Sequence, residues 1–118
     1  MRWWGVAGFI AVLSLSGCTG TPAEDSNFCA GAPPADWQTF GHGFVTQNCE
    51  TCHSSTSENR ESAPSYVFFD TAEEVWTYKD AVLTKATGDS PTMPPLGGTT
   101  ADDRYLLQVW LTCGVEGQ

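Results

Sequence analysis

Positive charge is scarce in this 118-residue chain. Five Lys and Arg stand against 14 Asp and Glu, giving a formal net charge of −9. Phosphates repel such a chain, which argues against nucleic acid as a partner. Histidine and methionine are also rare, with two of each. A zinc site made of protein side chains would need more Cys or His at ligand spacing than His42, His53 and the scattered cysteines offer. Long apolar runs are missing too: the apolar run at the start, Trp3–Leu15, has 13 residues, short of the roughly 20 that span a bilayer as a helix. No segment alternates apolar and polar residues as a strand would, and no internal repeat is present. Length and pattern together predict one small all-α domain.

The chain does carry five cysteines, and two of them fall in Cys49-Glu50-Thr51-Cys52-His53. C-x-x-C-H is the attachment pattern of a covalent c-type haem. Two thiols three positions apart on a helical turn can each bond a vinyl arm of the porphyrin, and His53 is then placed to ligate the iron. A thioredoxin-like dithiol shares C-x-x-C but needs a βαβ context, which is not found, and has no use for the histidine. An ordinary disulfide within the motif is a further alternative. A buried haem would also supply the extra stabilisation that so short a chain usually needs.

The start of the chain reads as a targeting segment. Met1-Arg2, the apolar run and then Leu15-Ser16-Gly17-Cys18 have the order of a secretory signal. The last four residues resemble the bacterial lipobox. That resemblance implies removal of residues 1–17 and acylation of Cys18, which anchors the protein to a membrane. Thr19 in place of Asp implies the outer membrane, facing the periplasm. An ordinary signal with an incidental cysteine is the alternative. Loss of Arg2 leaves four basic residues, a balance of about −10, which suits solubility or steering toward a basic-faced redox partner. Residues 18–35 hold Pro22, Pro33 and Pro34 without apolar periodicity and read as a flexible tether, with the folded domain at 36–115.

With Cys18 assigned to lipid and Cys49 and Cys52 to haem, Cys29 and Cys113 are left. A disulfide between them is expected in an oxidising compartment; two free buried thiols are the alternative. Three helices are predicted. The first runs from Asp36 to Cys49 with Trp37, Phe40, Phe44 and Val45 at helical spacing, and Gly41 and Gly43 within it call for a packing reason. The second starts at the capping box Thr71-Ala72-Glu73-Glu74 and runs to Thr87 before Gly88. The third starts at Thr100, carries Leu106, Leu107, Val109, Trp110 and Leu111, and stops at Cys113-Gly114.

Gly41-x-x-x-Val45-x-x-x-Cys49-x-x-Cys52-His53, then Ala63-Pro64, then Met93-Pro94-Pro95, then a helix with Leu107 and Trp110, resembles a small class I cytochrome c over residues 36–113. The resemblance implies a bundle of about three helices around one covalent haem c, with Gly41 and Val45 packed on Trp110 and Leu107. It implies Met93 as the second iron ligand, a soft thioether that with His53 raises the reduction potential; a lone Met is otherwise a core filler. His42 is the rival ligand, awkwardly placed on the helix that presents the cysteines. The resemblance gives Pro64 a supporting part, its carbonyl accepting from the His53 imidazole, although Ala63 stands where the family has glycine. Only 40 residues separate His53 from Met93, which leaves a haem edge near Arg60 and Ser54 to Ser62 more exposed. Tyr66, Trp76 and Tyr78 are candidate donors to a propionate.

The expected function is electron carriage between redox proteins, with no catalytic residue. The alternatives are a haem sensor or peroxidase-like enzyme with an open axial position, and a haem-bearing docking subunit of a membrane redox complex. No distal histidine, arginine and acid grouping that would cleave an O–O bond is evident.

Overall fold

The computed structural model describes residues 23–118, and no strand occurs among them. The expected signal peptide and Cys18 lie outside the described residues. Six α-helices follow in order: α1 Ala23–Ala30, α2 His42–Asn48, α3 Glu50–His53, α4 Ala72–Thr77, α5 Lys79–Ala86 and α6 Ala101–Cys113. A π-helical turn, Trp37–Gly41, leads into α2.

Helix α6 is the hub, in contact with α1, α5 and the π turn. Thr100 caps it, the hydroxyl accepting the Asp103 N–H at 3.1 Å, which satisfies one of the donors that a helix start leaves free. Leu107, Trp110 and Leu111, spaced to share one face, are buried to 1% exposure or less. The Trp110 indole N–H donates to the Gln118 carbonyl at 2.7 Å, so its full burial leaves no donor unpaired.

The π turn meets this face. The Asp36 carboxylate accepts the Thr39 N–H at 2.8 Å, and the Asp36 carbonyl accepts from both Phe40 and Gly41. The Thr39 backbone and hydroxyl hold the Asp36 carboxyl below its usual range. Trp37 lies 5.6 Å from Trp110, ring to ring. A Cβ on Gly41 would fall 2.9 to 3.1 Å from three atoms of the Trp110 ring. Gly41 therefore has the packing reason its sequence position called for, whereas Gly43 faces open space.

Three expectations need correction. Residues 18–35 are not a tether throughout, because α1 occupies 23–30 and is joined to α6 by the Cys29–Cys113 disulfide. Phe28 adds an edge-to-face contact with Tyr105 at 6.0 Å. The bridge and this aromatic contact join the helix to α6. The second expected helix is two: at Tyr78 the N–H bonds to Val75 O, three residues back, and the chain restarts as α5. The expected three helices thus become six, with the third matching α6.

The two glycines give a paired test. Gly41→Ala is expected to cost about 1–3 kcal/mol through overpacking on Trp110. Gly43→Ala should add about 0.4–1 kcal/mol, since an exposed helical site gains only propensity. Urea midpoints of the two variants would check both signs.

Candidate functional site

Cys49 stands at the junction of α2 and α3, with φ −122° and ψ −41°. Its N–H bonds to Val45 O at 2.8 Å, and its carbonyl accepts from Cys52 and His53 at 3.2 and 2.9 Å. One helical turn therefore continues through the junction. Residues 49, 52 and 53, spaced three and four apart, come to one side of it. Both cysteines are free thiols.

All three line a cavity of about 290 Å³ together with Met93, at the lower end of the roughly 300–1,000 Å³ usual for ligand pockets. Its walls are mainly apolar, with Phe44, Val67, Phe69, Val82 and Pro95 among them. Phe69 sets the attitude of the histidine: its N–H bonds to His53 O at 2.8 Å, and its ring lies 4.8 Å from the imidazole at 31°. Burial lowers the His53 pKa, against the influence of the Val67 carbonyl, and the Arg60 charge lowers it further. His53 is therefore a neutral imidazole at neutral pH, with Nδ1 buried and unbonded. Burial, with the Glu50 charge, pushes the Cys49 thiol up to about 12. A redox dithiol nucleophile needs the opposite shift.

The expected bond from His53 to the Pro64 carbonyl is not formed, which corrects the part given to Pro64. That carbonyl accepts from Arg60 Nη2 at 2.8 Å and from the Val67 N–H at 3.1 Å. The Arg60 guanidinium is the centre of the loop, donating also to Val67 O at 2.8 Å and to Ser54 O at 2.7 Å. It lies 4.8 Å over the Phe68 ring. Glu61 and Ser62 beside it have φ of 46° and 69°, a conformation that costs about 1–3 kcal/mol each and persists only where neighbours over-determine it. Arg60, fastened to carbonyls on both sides of these residues, does so. Pro64 still contributes a wall of the cavity.

Met93, also on the cavity wall, is held by its backbone. Its N–H bonds to Lys85 O at 2.8 Å, and its carbonyl accepts from Arg104 Nη1 at 2.8 Å. His42 is exposed on α2, its ring 5.3 Å from that of Trp37, and is not part of the cavity wall. Of the three candidate propionate donors, Tyr78 lines the cavity, and its hydroxyl donates to Tyr66 O at 3.1 Å. Tyr66 is exposed, and the buried Trp76 Nε1 has no partner.

Asn48 and Arg104 were missed by sequence reasoning. Asn48 lines the cavity, donates to Phe44 O at 2.9 Å, and accepts from the Thr99 hydroxyl at 3.2 Å across 51 positions. No local pattern signals it. Arg104 had a faint signal, since a cation in the first turn of a helix opposes the dipole.

No family of known proteins matches this chain, and neither does any curated protein or solved structure. Among the described residues, no helix is long and apolar enough to cross a membrane, and no three or more His, Cys, Asp or Glu gather as a metal site.

The loop after His53 is tied to α4 by Asp70, whose carboxylate accepts the Ser55 N–H at 2.8 Å. The Ser54 hydroxyl first, and then the Ser55 N–H, hold this carboxyl below its usual range. The stabilisation is therefore complete above about pH 4, the unfolded value, and is lost as pH falls through the lower folded one. Asp70→Asn should be less stable than the parent at neutral pH and lose less between roughly pH 5 and pH 3. Urea midpoints at both pH values would check this; parallel acid losses would exclude it.

Proposed function

We propose that this chain is a small class I c-type cytochrome that carries single electrons, with haem c bonded to Cys49 and Cys52 and its iron held by His53 and Met93. The observation that supports it is the meeting of these four residues on one apolar cavity, although 40 positions separate His53 from Met93. The donor set suits the group. Two free thiols three apart match a porphyrin's vinyl arms, and a half-buried neutral imidazole with an unbonded ring nitrogen suits a metal. The thioether of Met93 is a soft, uncharged ligand, at home among apolar walls. Haem supplies a one-electron iron couple, and His/Met ligation raises its potential.

The residues of the chain do the rest. Phe69 fixes the imidazole by ring contact and by its bond to the His53 carbonyl. Phe44, Val67 and Val82 make the walls apolar. If His53 and Met93 both held the iron, no position on it would be left for a substrate, so the reading is a carrier and not an enzyme. Two of the chain's five cations, Arg60 and Arg104, are bound to backbone carbonyls. The field of the chain is dominated by 14 carboxylates against five cations, which favours a basic-faced redox partner. In this reading Cys18 carries the lipid and the domain works in the periplasm, at the outer membrane.

The visible spectrum of protein matured in cells that attach haem tests the reading. A low-spin six-coordinate c-type spectrum with the far-red band of sulfur on ferric iron is expected. A high-spin spectrum that responds to carbon monoxide would overturn the carrier, and absence of covalent haem would overturn the whole assignment. His53→Ala should abolish holoprotein. Met93→Ala should keep covalent haem, lose the far-red band and lower the potential; an unchanged spectrum would remove Met93 from the iron.

A further inference from the structure

The segment that carries Met93 has an unusual fastening. Helix α5 ends at Ala86, and Gly88, at φ +76°, reverses the chain. The carbonyls of the last turn would be left without partners. Leu83 O instead accepts the Thr87 hydroxyl at 2.6 Å, and Lys85 O accepts the N–H groups of both Thr92 and Met93 at 2.8 Å. Ala86 O accepts Arg104 Nη1 at 2.7 Å, and the same nitrogen donates to Met93 O at 2.8 Å.

Arg104 lies in the first turn of α6, where the helix dipole disfavours a cation. Its guanidinium is turned to the carbonyl end of α5, where a cation is favoured. A helix cap would need only the bond to Ala86. The second bond, to Met93, links the segment to α5 and to the hub helix at one atom. The Met93 peptide is thus held at both its N–H and its C=O.

We infer that Arg104 is the positioning residue for the sixth ligand: its bond to the Met93 carbonyl sets how firmly the Met93 sulfur resists displacement from the iron. This rests on the reading of Met93 as that ligand. Arg104 touches neither haem nor iron in this account and acts only through the backbone of residue 93.

The test is the affinity of ferric holoprotein for added imidazole, which competes with Met93, measured by loss of the far-red band. Arg104→Met keeps the apolar stem and removes both bonds. It is expected to bind imidazole about tenfold more tightly, the change that one lost charge-assisted hydrogen bond gives. Thr71→Ala, which breaks the capping box of α4 and lowers stability without touching this segment, should leave the affinity as it is. An equal rise in Thr71→Ala would reduce the effect to general destabilisation and overturn the inference. Met93→Ala separates the two levels of argument. If it neither loses the band nor tightens imidazole binding, Met93 is not the ligand and Arg104 has nothing to position. If it does both while Arg104→Met matches the parent, the ligand reading stands and the positioning role falls. Should Arg104→Met yield no holoprotein, Arg104→Gln is judged by the same criterion.

Discussion

The face of the Trp110 indole lies where a side chain on residue 41 would begin, and the rest of the domain depends on that approach. Only glycine lets the π turn come so near α6. Because the turn runs straight into α2 and then α3, its seat on Trp110 fixes the position of Cys49, Cys52 and His53 relative to the hub helix. Phe44 and Val45, one turn further on, are buried in the same core as Leu107 and Leu111. Close packing then makes the placement stiff, since a core at organic-crystal density has no slack to absorb a shift.

Two loops complete the cavity, and each is held by an arginine bonded to backbone carbonyls. Arg60 gathers Ser54, Pro64 and Val67 on the histidine side. Arg104 gathers Ala86 and Met93 on the methionine side. The device suits segments with little regular structure, whose carbonyls have no ladder or helix to satisfy them. It also accounts for two of the three arginines in a chain so poor in positive charge: a planar guanidinium can serve several carbonyls at once, which a lysine does less well.

What could be read from the sequence was what local chemistry decides. The caps at Thr71 and Thr100 and the stripe of α6 each follow from a few neighbouring residues, as does the single helical turn of residues 49–53, whereas the packing of Gly41 on Trp110 came from the resemblance. The misses have the opposite character. Helix α1 is fixed by a bridge to a residue 84 positions away, so its own composition resembles a linker. The break at Tyr78 goes with contacts of its ring and hydroxyl to Phe69 and Tyr66, neither of which is a helix-breaking signal. The Pro64 carbonyl was expected to serve His53 because of a resemblance, and Arg60, four residues back, takes it instead. Gly43 was expected to have a packing reason as Gly41 does, but no pattern supplied a partner for it, and it faces open space.

A domain of this size buries a smaller share of its surface than a larger one, and a cavity of about 290 Å³ removes contacts its core would otherwise make. The Cys29–Cys113 bridge answers part of that deficit. It closes a loop of 84 positions, and cross-links of native domains contribute roughly 2–5 kcal/mol, largely by restricting the unfolded chain on the entropic account. Its position matters as much as its size. One end is on the hub helix, three residues beyond Trp110, so the chain ahead of the π turn is tied to the same element that seats Gly41. Both ends of the segment leading to Cys49 are thereby referred to α6, and the cavity keeps its shape through the scaffold around it, without depending on a filled core.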